Sequence, residues 1–194
     1  MGAGNFAASL LCRPDCAMAD MAKFSFVAAL ALHDTLVGVG VDPAELHLKW
    51  PNDVLLSGRK LSGILLETVE TAAGPGLIVG IGVNLAVAPD AADLEARAHA
   101  PITLAEHGIT IGPEQFLDQL APAFAARQGM FLADGFSPIR AAWLSRAKGV
   151  GQEITARLPH ATHVGIFEDV DDDGALILAT GKGRLVLPAA DVYF

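Results

Sequence analysis

The chain has 194 residues, 52% hydrophobic and 18% charged, enough for one full domain with its own core or for one domain plus a small appendix. A net charge of −9 with no basic stripe argues against a partner bound chiefly through nucleic-acid backbone, which requires clustered Lys and Arg. No run of about 18 uncharged apolar residues suggests a membrane span. Cys12 and Cys16 have no second pair to complete a zinc site, so neither metal nor disulfide is expected, and a reducing cytoplasm is the expected compartment.

Gly4 to Cys12 (GNFAASLLC) reads as a strand that breaks at Pro14. From Ala19 to Val37, Phe24, Val27, Leu30 and His33 or Asp34 fall at helical spacing, and Gly38-x-Gly40 ends the pattern, which predicts one long, largely buried helix. Its apolar part follows a lone Lys23 and has no small-residue cleavage site, so it is read as part of the fold and not as a secretion signal. Leu46 to Trp50, Val54 to Leu56 and Leu61 to Val69 read as short strands, the last two joined by Ser57-Gly58-Arg59-Lys60, and a further strand runs from Leu77 to Val87. Beyond a Pro/Ala/Asp loop at residues 88 to 93, Pro113 opens a helix with Leu117, Leu120, Phe124 and Phe131 on one face, and Pro122 predicts a kink or an interruption. Ser137-Pro138 reads as an N-cap and first helical residue of the helix carrying Trp143, with Gly149 as its stop. QEITARL, HVGIFEDV, ALILAT, RLVLP and DVYF are short runs between turn residues, which predicts a separate all-β unit and a division into 1–150 and 151–194.

Several motifs are discarded on chemistry. Asp169-x-Asp171-x-Asp173-Gly174 begins like a calcium loop, but Thr180 stands where a bidentate carboxylate is needed, so a hairpin turn is expected. Gly80-x-Gly82 lacks the third glycine and following helix of a dinucleotide fingerprint. The six histidines show neither paired metal-ligand spacing nor a nucleophile elbow. Glycine inside a strand marks a bulge or a ligand close to the backbone, and in GLIVGIGVNL both readings stand: a bulge with Asn84 in a turn, or a flat heterocycle on bare strand read by the Asn84 amide. In KWPNDVLLSGRKLSGILLE, Pro51 stiffens the bend presenting Asn52 and Asp53, and a tight turn brings Lys60 back beside it. Lys49, Asn52 and Lys60 then face one cleft, unless the turn is polar only because it is wet. Gly63, which permits close approach of a ligand, favours the cleft.

K-W-P-N-D, then R-K-L-x-G-I-L-x-E, then G-x-G-x-N-L resembles the catalytic core of biotin protein ligases. GNFAASLLCRP resembles the family's strand after its biotin loop, PITLAEHG the segment over the adenine, and the β-rich tail its C-terminal SH3-like domain, so the likeness spans essentially the whole chain. It implies an α+β fold of the class II synthetase and biotin ligase type, a mostly antiparallel sheet flanked by helices with a small β-barrel behind it. It also implies a cytoplasmic, ATP-dependent ligase that joins biotin to AMP, releases pyrophosphate, and passes biotin to a lysine of a carboxylase carrier domain such as that of acetyl-CoA carboxylase. Lys60 would lie against the biotin carboxylate and α-phosphate, Asn52 near the phosphates or their Mg2+, and Asn84 at the adenine. Gly63, Gly80 and Gly82 would make room for the ligands, with Lys49 and Asp53 in the same bend.

The resemblance begins downstream of the family's Arg/Gly-rich biotin loop, and the expectation is that the native protein carries that loop upstream of Met1. Gly181-Lys182-Gly183-Arg184 is no substitute, since it reads as a hairpin turn in the tail. Pro101 stands where some relatives place an aromatic residue over the adenine. No DNA-binding helix-turn-helix precedes the core, so repressor activity is not expected, while an exposed sheet edge allows a homodimer. A lipoate-ligase-like enzyme and a non-catalytic module binding biotin, nucleotide or carrier are the alternatives.

Overall fold

The computed structural model describes residues 4–72, 74–89 and 100–194. Its first sheet contains β1 (Phe6–Cys12), β2 (Leu46–Lys49), β3 (Asp53–Leu56), β4 (Arg59–Thr71) and β5 (Gly74–Val83). Their order is β1-β5-β4-β3-β2, with every neighbouring pair antiparallel. Because side chains alternate along a strand, register decides which residues share a face. Phe6, Val83 and Ser62 stand abreast on one face, followed by Ala8, Ile81 and Ile64, and the large members of these rows are buried. Ala7, Gly82 and Gly63 stand abreast on the other face, followed by Ser9, Gly80 and Leu65. That face is bare: Leu65 is 70% exposed and Leu11 64%.

The covered face lies under α1 (Phe24–Gly38) and α2 (Pro113–Asp134), and α3 (Phe136–Leu144) packs against both helices. α1 is buried nearly all round; Ser25 Oγ donates to the Pro51 carbonyl and Thr35 Oγ1 to that of Ala31, while the buried His33 Nδ1 has no hydrogen-bond partner among the described residues. The long helix expected from Ala19 is two elements: Met18–Lys23 is a 3-10 helix and α1 starts only at Phe24. In a 3-10 helix residues three apart eclipse, and this sets the Lys23 ammonium 2.7 Å from Asp20. Met18–Gly38 as a whole is long and apolar enough to cross a membrane, but most of it is buried in this core.

On α2 the core face is Phe116, Leu120, Phe124 and Phe131; Leu117, assigned to it from spacing, points outward at 41% exposure. Phe116 is selected because its ring meets Phe6 with centroids 5.1 Å apart. Pro122 does not interrupt the helix. It lies on the exposed side, as does Asp118 one turn earlier, so the carbonyl deprived of its donor is solvated. α3 takes Gly135 as its N-cap, placing Ser137 and Pro138 inside the first turn, and it ends at Leu144 rather than running to Gly149.

The second sheet comprises β6 (Glu153–Leu158), β7 (Ala161–Val170), β8 (Leu176–Thr180), β9 (Gly183–Leu187) and β10 (Asp191–Tyr193), ordered β10-β6-β7-β8-β9 and antiparallel throughout. Asp171 is the internal cap of the β7–β8 turn, its Oδ1 accepting from the N–H groups of Asp173 and Ala175. Residues 181 and 182 form the β8–β9 turn, with Thr180 opposite Gly183. The second sheet is tied to the first by the buried Trp50, whose indole N–H donates to the Gly174 carbonyl at 3.0 Å, and to α3 by Arg140, which donates to Asp169 and to the Val170 carbonyl.

Candidate active site

The bare face of the first sheet leads into a hollow of about 620 Å³ lined by Asn52, Asp53, Lys60, Gly63, Gly80, Gly82 and Asn84. Ala8, Leu65, Pro89 and Pro101 are among the other residues that line it. Seven of the eight residues singled out from sequence therefore meet in one place. The eighth, Lys49, lines an adjoining hollow instead.

Lys60 reaches the ligand face through a fault in the ladder. Lys60 and Gly63 are three positions apart, an odd spacing that in a regular strand puts side chains on opposite faces. The β3–β4 register shifts between Val54 and Leu55, so that Asp53 opposes Gly63 while Leu55 opposes Lys60. The extra residue re-aims the lysine to the face that carries Asp53 and Gly63. Its ammonium lies 2.6 Å from Asp53 Oδ1, and that of Lys49 lies 3.5 Å from Asp53 Oδ2. One carboxylate thus holds two cations, with Lys60 43% exposed toward the hollow and the Lys49 side chain 13% exposed.

The Trp50-Pro51 bend, which contains a cis peptide bond, is clipped to the ladder beside it. Asn52 Nδ2 donates to the Ile64 carbonyl at 2.8 Å, and the Ile64 N–H donates to the Asn52 carbonyl at 2.9 Å. Asn52 Oδ1 accepts no hydrogen bond from the described residues. Among those residues no three His, Cys, Asp or Glu stand together as a metal cage, and both Asp53 oxygens face ammonium groups. The donor set offers a magnesium ion that arrives on nucleotide phosphates one neutral oxygen, Asn52 Oδ1, where a protein more often supplies one or two carboxylates.

Residues 100–106 cross from Lys60 to Asn84. The Lys60 N–H donates to the Ala100 carbonyl (2.9 Å) and its carbonyl accepts from Ile102 (3.0 Å), while the Asn84 carbonyl accepts from Leu104 (3.0 Å). Arg59 adds a donation to the Pro101 carbonyl and an ion pair with Glu106 at 3.0 Å. The sequence sets Arg59 beside Lys60 at the mouth of a strand, which suggests a phosphate contact, whereas its guanidinium is engaged by Glu106 and the Pro101 carbonyl; Glu106 was not singled out. The pair joins residues 47 apart, and no local pattern announces such a contact.

Glycine makes the floor. A Cβ built on Gly63 would stand 3.6 Å from Asp53 Oδ1 and 3.7 Å from the Lys60 ammonium, and one on Gly80 would stand 3.5 Å from the Leu65 carbonyl. These are ordinary contacts, so the protein itself does not require glycine there for space. The free volume in front of Lys60 is what a side chain would take.

A family model described as "Biotin/lipoate A/B protein ligase family" matches residues 3–84, and one described as "Biotin protein ligase C terminal domain" matches residues 149–194. The chain is 53% identical over 199 aligned positions to a biotin–[acetyl-CoA-carboxylase] ligase of Paracoccus denitrificans, covering 100% of this chain and 82% of that protein. It is 31% identical to the bifunctional ligase/repressor BirA of Bacillus subtilis, covering 95% of this chain and 56% of the longer relative. In three dimensions it superposes on the Aquifex aeolicus biotin protein ligase solved in complex with biotin and ATP with a TM-score of 0.79 at 22% identity, over 97% of this chain and 77% of that one. Together with the hollow between the K-W-P-N-D bend, Lys60 and Asn84, these likenesses show that the chain belongs to the biotin protein ligase family.

Proposed function

We propose that the chain activates biotin with ATP to biotinyl-5'-AMP and transfers the biotinyl group to a lysine on the carrier domain of a carboxylase, acting in the cytoplasm. The single observation that carries this reading is the convergence of Lys60, Asn52 and Asn84 on one glycine-floored hollow. Joining a carboxylate to a phosphate brings two anions together, so positive charge must be in place beforehand. An ammonium about 4 Å from the developing charge contributes roughly 4 kcal/mol at an effective dielectric near 20, and less where water reaches it. Lys60 is held ready by Asp53 at 2.6 Å and exchanges that partner for the acid and the α-phosphate. Asn84 reads the adenine edge, with residues 100–106 as the wall joining it to Lys60. Gly63, Gly80 and Gly82 admit the flat ligand against the strands. Asn52 Oδ1 would be the protein's contact to Mg2+, which when bound offsets phosphate charge.

The 53% identity to a ligase named for acetyl-CoA carboxylase favours biotin over lipoate as the acid and a carboxylase carrier as the acceptor. The division into a catalytic part, 1–150, and an SH3-like part, 151–194, belongs to the same reading. So does a homodimer formed through β1, an edge strand whose one ladder among the described residues is with β5. The test is pyrophosphate release from ATP with biotin or lipoate supplied. Release that requires biotin and drops at least about 10²-fold in Lys60→Ala supports the assignment. Release indifferent to biotin, or unchanged in the variant, contradicts it.

A further inference from the structure

A separate hollow, about 570 Å³, opens between α1, the start of β2 and the turn that follows α3. Its polar walls are His33, His47, Ser145 and Arg146, its apolar ones include Pro43 and Leu46, and no carboxylate among the described residues lines it. Its two sides are stitched together, the Leu48 N–H donating to the Arg146 carbonyl at 2.9 Å and the Lys148 N–H to the Leu48 carbonyl at 2.8 Å. This parallel bridge sets Arg146 beside His47. Arg59, Arg127, Arg140, Arg157 and Arg184 each stand against a carboxylate, whereas Arg146 has none among the described residues. Its Nη1 donates to the Ala142 carbonyl at 2.6 Å and to Ser145 Oγ at 3.1 Å, and its Nε and Nη2 have no acceptor among those residues. His33 is the second anomaly. Its side chain is 7% exposed and its Nδ1 is unpartnered, with Asp34 Oδ1 3.8 Å away and engaged by Arg127. A buried polar atom left without a partner costs free energy and calls for an explanation.

We infer that this hollow binds a small molecule through an oxyanion, a phosphate or carboxylate group seated on Arg146 and Ser145 and met by the imidazoles of His33 and His47; the inference is independent of the ligase reading above. A guanidinium with donors to spare is the side chain best shaped for a planar or tetrahedral oxyanion. Capping α3 uses only its Nη1, at Ala142. The closing carbonyls of α3 are otherwise taken, those of Ala141, Trp143 and Leu144 accepting from the N–H groups of Ser145, Arg146 and Ala147, so the negative end of the helix is already answered. Burial holds the His47 imidazole below its ordinary range and the Lys148 ammonium lowers it further, which places positive charge beside the hollow. Glu45, next in the chain to the wall at Ala44, is engaged by His107 at 2.9 Å. In a chain of net charge −9, walls made of a cation and neutral donors are a local inversion of the field that favours an anion. With Nδ1 unengaged, no hydrogen bond from the described residues ties the His33 proton to that nitrogen, so the ring can present an N–H to the ligand. Pro43 and Leu46 offer the body of the ligand an apolar wall.

The imidazole NMR signals of His33 and His47, followed while inorganic phosphate or acetate is titrated into the full chain at fixed ionic strength, test the site directly. Both signals are expected to shift saturably with at least one of the two anions, and the anion that saturates them identifies the head group. His160 and His163, in the β6–β7 hairpin of the second sheet, should not move. Arg146→Ala should weaken binding about tenfold, the low end for a charge-assisted contact that is part exposed. Arg146→Lys should recover only part of it, since an ammonium lacks the fork. Because Arg146 also caps α3, Ser145→Asp is the second variant: it keeps the guanidinium, puts a carboxylate in the hollow, and should abolish the shifts with a thermal melt close to the parent's. Lys60→Ala should leave the titration unchanged, which separates this site from the first hollow. Failure of both anions to saturate the two signals, movement of His160 and His163 in step with them, saturation that survives both Arg146→Ala and Ser145→Asp, or loss of the shifts in Lys60→Ala would overturn the inference.

Discussion

Each of the two sheets has glycine in strand interiors, for opposite reasons. In the first, Gly63 and Gly80 border open volume, and an added Cβ would meet nothing closer than 3.5 Å. In the second, Gly165 on β7 is boxed in, since a Cβ there would lie 2.5 Å from the Ala179 carbonyl oxygen and 3.0 Å from the Leu178 side chain. The fold excludes a side chain at Gly165, whereas at Gly63 and Gly80 the fold would accept one and the hollow would lose it. A glycine whose missing side chain nothing in the protein replaces is a statement about a ligand; one whose place is already filled is a statement about packing.

Four substitutions bear on this contrast, from the largest effect to the smallest. Lys60→Ala leaves both sheets intact and should cut adenylate formation by at least about 10²-fold, read as pyrophosphate release beside an unchanged thermal melt. Gly165→Ala should do the reverse, costing roughly 2–3 kcal/mol of stability in urea unfolding through overpacking against a carbonyl that cannot move aside. Gly63→Ala should fold with a Tm within about 2 °C of the parent and lose roughly tenfold in adenylate formation. A large loss of stability there would erase the distinction between the two kinds of glycine.

The smallest effect lies in the helical layer behind the closed face. Burial raises the Asp34 carboxyl, but the His33 imidazole at 3.8 Å and the forked Arg127 guanidinium more than reverse this and hold it at about 2, below its ordinary 3.8. Such a group adds stability that is present in full above the unfolded value and is lost as pH falls through the folded one. Asp34→Asn should therefore be less stable than the parent at neutral pH, with the gap closing between pH 3.8 and about 2 in acid-titrated melts. A gap that stays constant across that window would show that Arg127 does not depend on the charge of Asp34.

Alternating and helical periodicity located the strands and helices because burial on one face leaves its imprint on neighbouring letters. Boundaries failed where a contact far along the chain decided them. Phe6 chooses Phe116 over Leu117, and the switch from a 3-10 to an α-helix at Phe24 leaves no mark in the apolar pattern. The candidate site was legible in its local parts, the Pro-stiffened bend, the Lys-bearing turn and the strand glycines. Its assembly was legible mainly through the family resemblance, and how the backbone achieves it was not. The bulge that turns Lys60 onto the face of Gly63 is a matter of register, which no single strand encodes.

Soaking or co-crystallising the chain with biotinyl-5'-AMP tests the central claim most directly. The account predicts an acyl phosphate within hydrogen-bonding distance of the Lys60 ammonium, withdrawn from Asp53, with the adenine edge at the Asn84 amide and the acyl chain along Gly63, Gly80 and Gly82. A ligand bound elsewhere on the surface, or lying in the hollow with Lys60 still 2.6 Å from Asp53, would contradict it.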